Sequence, residues 1–309
     1  MKRFVSLIIF RLLGGMFLLF LFLVSVFSPA VSRGEVLEPI DIVTGEWKPY
    51  TSMDMENYGL ASEIVTRVLR RMGYQPNYIF MSFDRAYDLA LKSDTNDDIR
   101  GTFPFWKMPF LDENDLERDR RREMYFSEPL TKIKTKLVIF YNSNQEKESK
   151  LKNAEKISEL SWCTILTVKG YAYPEEILNL IRKKLLKKES VDTELEAFQK
   201  LSDPSKPYIV LSEERVGRQI LNDEFAETQE DIAFNTKIKY EQYIYFIASL
   251  KNPNNSIFIN RFNDNLQKLK KQGIIDALES KYFKGPVVNL NSPETSLIPA
   301  GNECNDDSK

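Results

Sequence analysis

The sequence predicts an α/β protein built from two strand-and-helix units, and three observations carry that expectation. Short β-branched or aromatic runs alternate with amphipathic helical patterns over most of the chain. A polar stretch rich in lysine and glutamate, Asn142 to Asn153, divides an earlier series of such runs from a later one. A long amphipathic pattern then closes the series before the composition turns to Pro, Ser, Asn and Asp.

In the first unit, Ile40-Asp41-Ile42-Val43 reads as a strand and Thr44 to Tyr50 as the loop that ends it. Ile64, Val65, Val68, Leu69 and Met72 fall at helical spacing, with Gly73 as the stop. Tyr78 to Met81 is the next strand and Asp84 to Leu91 the next helix, capped near Ser82. Ile99 to Phe103 is a third strand, leading into the aromatic group Phe103, Phe105, Trp106 and Phe110. The charged stretch Leu111 to Arg122 reads as a loop or short helix, and Met124-Tyr125-Phe126 resumes β character. Lys132 to Tyr141 is a strand leaving this unit.

The second unit opens with a helical turn at Ile157 to Leu160 and a strand from Trp162 to Val168. Lys169-Gly170-Tyr171 turns into a helix expected over Glu175 to Lys187. A strand-to-helix turn leaves backbone N–H groups that can meet an anion, although one glycine is far from a phosphate-binding loop. Thr193 to Leu201 is helical, Tyr208 to Leu211 is a strand ending at Ser212-Glu213-Glu214, and Val216 to Leu221 is a helix. Lys237 to Leu250 is expected to hold a strand pair centred on Tyr243 to Phe246. Ile259, Phe262, Leu266 and Leu269 then repeat at helix spacing up to Gly273, and Ile274, Ile275 and Leu278 line a last helix.

Composition narrows the chemistry. With 42% hydrophobic and 28% charged residues the chain is globular, and 309 residues suit one large or two ordinary domains. The net charge of −2 gives no basic field for nucleic acid. The chain has no histidine, which removes histidine-based triads, general bases and metal sites. No metal or cofactor is expected. Cys163 and Cys304 are the two cysteines, and whether they pair stays open. Residues 1–30 have a basic start, an apolar run from Leu12 to Phe27 and small residues at Ser28-Pro29-Ala30. This is the pattern of a cleaved signal peptide, with retention as an N-terminal anchor as the alternative. Cleavage would take the net charge to about −5 by removing Lys2, Arg3 and Arg11.

The most informative stretch is Asp119 to Leu130, with three consecutive arginines ahead of Tyr125-Phe126-Ser127-Glu128-Pro129. Such arginines are usually solvated, but one turned into a cleft would suit a two-pronged grip on a carboxylate. Trp47 and Tyr50, at a strand's C-terminal end, could wall a crevice or simply cap the core.

Several of these stretches together resemble the bacterial extracellular solute-binding proteins of family 3, associated with polar amino-acid ABC importers. They are Thr44 to Tyr50, Gly59 with Arg71-Met72-Gly73-Tyr74, Arg120 with Phe126 to Leu130, Gly170 to Tyr173, and Phe262 to Phe283. The resemblance runs over about residues 38 to 284. It implies a two-lobe periplasmic binding protein type II fold whose hinge is two crossover segments. Lobe 1 would be 35–134 with 246–286, lobe 2 would be 135–245, and 287–309 would be a disordered tail. It further implies a monomer in the periplasm that binds a small polar solute, an amino acid or related carboxylate, and hands it to a membrane ABC permease. A ligand-sensing module for a membrane sensor is the alternative, and a dehydratase-like enzyme using Glu46, Glu213 or Glu214 a remoter one.

By the same resemblance Arg120 holds the ligand carboxylate, Glu213 pairs with its ammonium, and Gly170 and Tyr171 offer backbone N–H groups. Trp47, Tyr50 and Trp106 are the aromatic walls. The sequence departs from the family pattern at Glu117, where a threonine is usual, in the long stretch from Trp106 to Arg120, and at Ser205 to Tyr208. These departures leave open both the ligand class and a role for Arg121 or Arg122.

Overall fold

A computed structural model describes residues 37–94, 99–111 and 117–283. The expected signal peptide, the C-terminal tail and Cys304 lie outside the described residues. The first unit forms as its patterns predict. Strand β1 (Glu38–Thr44) lies parallel to β2 (Tyr74–Phe80) and to β3 (Ile99–Trp106). Helix α1 (Leu60–Arg71) buries Leu60, Ile64, Val65, Val68 and Leu69 as one stripe. Gly73, at φ +94°, takes the left-handed conformation that ends it. Helix α2 (Phe83–Lys92) buries Phe83, Ala86, Tyr87 and Ala90. The aromatic group after β3 is largely part of it, because Phe103, Phe105 and Trp106 all fall within the strand.

The charged stretch expected as a loop or short helix carries a small antiparallel hairpin, β4 (Pro109–Leu111) with β5 (Glu117–Asp119), and then a single 3-10 turn at Arg120–Arg122. Strand β6 (Met124–Phe126) follows. The second sheet starts at β7 (Thr135–Asn142). The polar stretch after it is mostly exposed, with Asn142, Gln145 and Leu151 as its buried anchors. Its helix α3 (Glu148–Asn153) buries Leu151, and Asn142 donates to the carbonyls of Leu201 and Ser202.

After β8 (Thr164–Val168), helix α4 (Glu175–Arg182) stops short of the expected Lys187. Lys184 turns left-handed at φ 55°, and Lys187–Val191 becomes strand β9, parallel to β8. Helix α5 (Glu194–Leu201), β10 (Tyr208–Glu213), helix α6 (Glu214–Glu224) and β11 (Ile232–Gln242) complete this half. The expected strand pair between Lys237 and Leu250 is not a pair. β11 bonds to β7, while β12 (Ile244–Ser249) enters the first sheet between β3 and β6. One residue, Tyr243, separates β11 from β12, too little to form a hairpin turn.

The two sheets therefore run β2-β1-β3-β12-β6 and β11-β7-β10-β8-β9. Helices α7 (Asn254–Lys271) and α8 (Ile274–Phe283) close the chain, with Phe262, Leu266 and Ile275 in the core. Glu279 of α8 accepts from the backbone N–H groups of Lys132 and Ile133, both at 2.8 Å, on the other connection between the sheets. Among the described residues no helix is long and apolar enough to cross a membrane.

Candidate functional site

The loops at the C-terminal ends of β1 and β3 meet the turn after β8, and an aromatic wall forms there. Trp47 stacks on Tyr50 at 4.6 Å and meets Trp106 edge-on at 5.4 Å. Trp106 is fixed by a bond from its indole Nε1 to Thr135 Oγ1 at 3.1 Å. Phe83, at the start of α2, faces Phe105 at 5.6 Å and Tyr171 at 5.8 Å. Gly170 must be glycine: its φ is +75°, and a Cβ would lie 2.6 Å from the Asp84 backbone nitrogen.

Arg120 reaches into this meeting point. Its neighbours in the arginine run do not: Arg121 and Arg122 are exposed, and Asp119 binds both the backbone N–H and the guanidinium of Arg121. Arg120 is 1% exposed. Its guanidinium lies 4.3 Å from the Phe110 ring centre and 4.9 Å from that of Phe105. It donates from Nη2 to the Gly170 carbonyl oxygen at 2.5 Å, while Nε has no partner. Among the described residues no carboxylate forms an ion pair with it. Burial pulls its pKa down to about 10, so it stays charged at neutral pH.

Five of the seven sequence-derived site residues, Trp47, Trp106, Arg120, Gly170 and Tyr171, line one small hollow of about 30 Å³. Trp47 and Tyr171, with Phe83, also line an adjoining hollow of about 530 Å³. That volume is in the range of small-molecule sites. The N–H of Tyr171 is engaged by the Val168 carbonyl at 3.1 Å.

Tyr50 and Glu213 are on the lining of neither hollow. Glu213 caps α6, accepting from the N–H groups of Arg215 and Val216 at 2.8 and 3.0 Å, and pairs with Arg215 Nη1 at 3.1 Å. Arg215 in turn lies 4.1 Å from the ring centre of Phe283. Burial raises the pKa of Glu213, and the Arg215 charge opposes the rise. Burial, then the Glu213 charge, pushes Tyr50 well above the usual phenol range.

Sequence reasoning did not single out Glu194. It is the first residue of α5, where Thr193 accepts from the Glu196 N–H and Glu196 accepts from the Asp192 N–H. That reciprocal capping is legible in the sequence, but it hides Glu194 as one more acidic residue of a first helical turn. Its side chain is buried at the edge of the larger hollow.

No protein-family model matches the sequence, and no curated protein matches it. Solved structures do. A mutant of ArgBP from T. maritima is similar with a TM-score of 0.60 at 18% identity, over 80% of this chain and 96% of that one. The GluR0 ligand-binding core from Nostoc punctiforme, in complex with (L)-glutamate, is similar with a TM-score of 0.58 at 16% identity, over 80% and 100%. A histidine kinase sensor domain with similarity to periplasmic binding proteins gives 0.59 at 15%, over 81% and 98%. With its two mixed sheets and these structural likenesses, the chain has the two-lobe fold of the type II periplasmic binding proteins.

Proposed function

We propose that this chain is a periplasmic solute-binding protein of family 3 that captures a small polar solute carrying a carboxylate, an amino acid or a relative of one. It would present the solute to an ABC-type importer. The lobes we assign are 35–134 with 246–286, and 135–245, closing on the solute by a hinge motion. The observation that carries the reading is Arg120. A desolvated guanidinium with a free Nε and, among the described residues, no acidic partner is costly to keep, and a bound carboxylate would offset that cost with charge-assisted bonds. The GluR0 core that shares the fold, in complex with (L)-glutamate, supports an amino-acid ligand.

A thermal-shift screen of amino acids, polyamines and small carboxylates tests this. Ligands that bind the folded state raise the melting temperature with the logarithm of their excess. Carboxylate-bearing solutes should raise it in the wild type and leave Arg120→Ala unmoved. An equal shift in both would take Arg120 out of the site, and turnover of a solute into product would replace capture with catalysis.

A further inference from the structure

Glu194 is a second buried ionisable group without a full set of partners, in the hollow that adjoins the one at Arg120. The residue is 7% exposed. Oε2 accepts from the Tyr171 hydroxyl at 3.0 Å, while Oε1 accepts no hydrogen bond. The Trp47 indole N–H nearby is also unpartnered. Glu194 lines the 530 Å³ hollow, which shares Trp47, Phe83 and Tyr171 with the hollow at Arg120.

The charge around that hollow is one-sided. Glu46, Asp192, Asp223 and Glu224 join Glu194 on its lining, against two bases, Lys48 and Lys169. Both bases are spoken for, Lys48 by Asp223 at 3.4 Å and Lys169 by Asp192 at 2.6 Å. Among the described residues no base pairs with Glu194. Glu213, the other buried carboxylate nearby, is already held by Arg215 and three backbone N–H groups.

We propose that Glu194 receives the side-chain cation of the solute, so that the ligand is a basic amino acid held at its carboxylate by Arg120 and at its far end by Glu194. This rests on the capture reading above. A guanidinium or ammonium supplies the donors that Oε1 lacks, and Trp47 and Tyr171 offer ring faces or edges along the way. An acidic hollow of this size favours a solute with net positive charge over a neutral one of the same shape.

The test is calorimetric titration of wild type and Glu194→Gln with L-arginine, L-citrulline, L-glutamate and agmatine. Glutamine keeps the shape of the side chain and removes its charge. The wild type should bind arginine at least about tenfold more tightly than the uncharged isostere citrulline, and the variant should bring that ratio close to one. Equal binding of arginine and citrulline by the wild type, a preference for glutamate, or an unchanged ratio in the variant overturns the proposal. So does failure of all four to bind. Agmatine lacks the carboxylate: if it binds as tightly as arginine while citrulline binds poorly, Glu194 stands and the Arg120 clamp falls.

Discussion

The guanidinium of Arg120 donates to the carbonyl oxygen of Gly170 at 2.5 Å, and this bond ties the turn after β5 to the turn after β8. It is a weak exchange for a fully desolvated cation, since one neutral carbonyl stands where a carboxylate could accept two bonds. Arg120→Leu should therefore leave the ligand-free protein as stable as the wild type or more so, by roughly 0–3 kcal/mol, while carboxylate affinity falls roughly a hundredfold or more. Chemical denaturation paired with calorimetry reads both. A marked loss of stability would mean that Arg120 belongs to the core and not to a ligand.

Gly170→Ala addresses the same contact from the other side. The added methyl would sit 2.6 Å from the Asp84 backbone nitrogen, and the left-handed backbone adds strain of order 1 kcal/mol. Because the obstruction lies between elements of the two sheets, it should oppose their approach more than their folding. The expected result is a near-normal melting temperature without ligand, weakened binding, and less compaction on ligand addition by small-angle scattering. Wild-type affinity in this variant would show that the two turns need not come this close.

Stability should depend on pH through Glu194. Burial first, and then the Glu213 charge, raise its pKa to about 7 from 4.5, against the pull of the Tyr171 hydroxyl bonded to it and of the Ser212 and Trp47 polar groups that lie near without a bond of good geometry. Tyr173 also lies near it, and Glu46, Lys48, Lys169, Asp192, Asp223 and Glu224 share the hollow. The folded state therefore holds a proton that the unfolded chain releases. Stability falls as pH rises from about 4.5 to about 7 and stays lower above that, by a shift on the order of 3 kcal/mol. Glu194→Gln removes this component, so melting curves from pH 5 to pH 8 should separate in favour of the variant. Curves that stay parallel would mean that Glu194 is solvated or paired throughout.

A stability test away from the site is Gly217→Ala. A Cβ on this residue of α6 would lie 2.4 Å from Phe140 Cζ, in the second sheet's core. Phe140 is held between Phe198 and Phe234, so the ring has little freedom to move. Overpacking should cost roughly 1–3 kcal/mol, read as a lower denaturation midpoint with ligand affinity intact. A midpoint equal to the wild type would show that α6 can lift off the sheet.

Much of this architecture could be read in the amino-acid order because local pattern and tertiary burial agree. The α1 stripe, the stops at Gly73 and Gly273 and the apolar rhythm of α7 each survive folding unchanged. Strand β9 was hidden because Lys187-Lys188-Glu189-Ser190-Val191 lies at a sheet edge and carries charges where buried strands carry aliphatics. The split between β11 and β12 was hidden because strand propensity does not reveal which sheet a strand joins. At the site, the resemblance to the family, through the spacing to Phe126-Ser127, picked out Arg120 from three arginines, and the structure buries that one alone. Glu194 could not be read, since its distinction is a missing hydrogen bond and a one-sided set of neighbours, both products of the fold.

The connections between the sheets leave very little chain free. On one side Ser127 and Leu130 are bonded to β12, and Lys132 and Ile133 to Glu279, so Lys134 alone remains before β7. On the other side Tyr243 alone lies between β11 and β12. The two residues are neighbours, with Lys134 Nζ 5.4 Å from the Tyr243 ring centre. Any swing of one half against the other must turn on a pivot line through this pair, as a clasp opens on its pin. The reach of the opened cleft would thus be governed by the torsion angles of two residues far apart in sequence, one bond away from the Trp106 wall through Thr135.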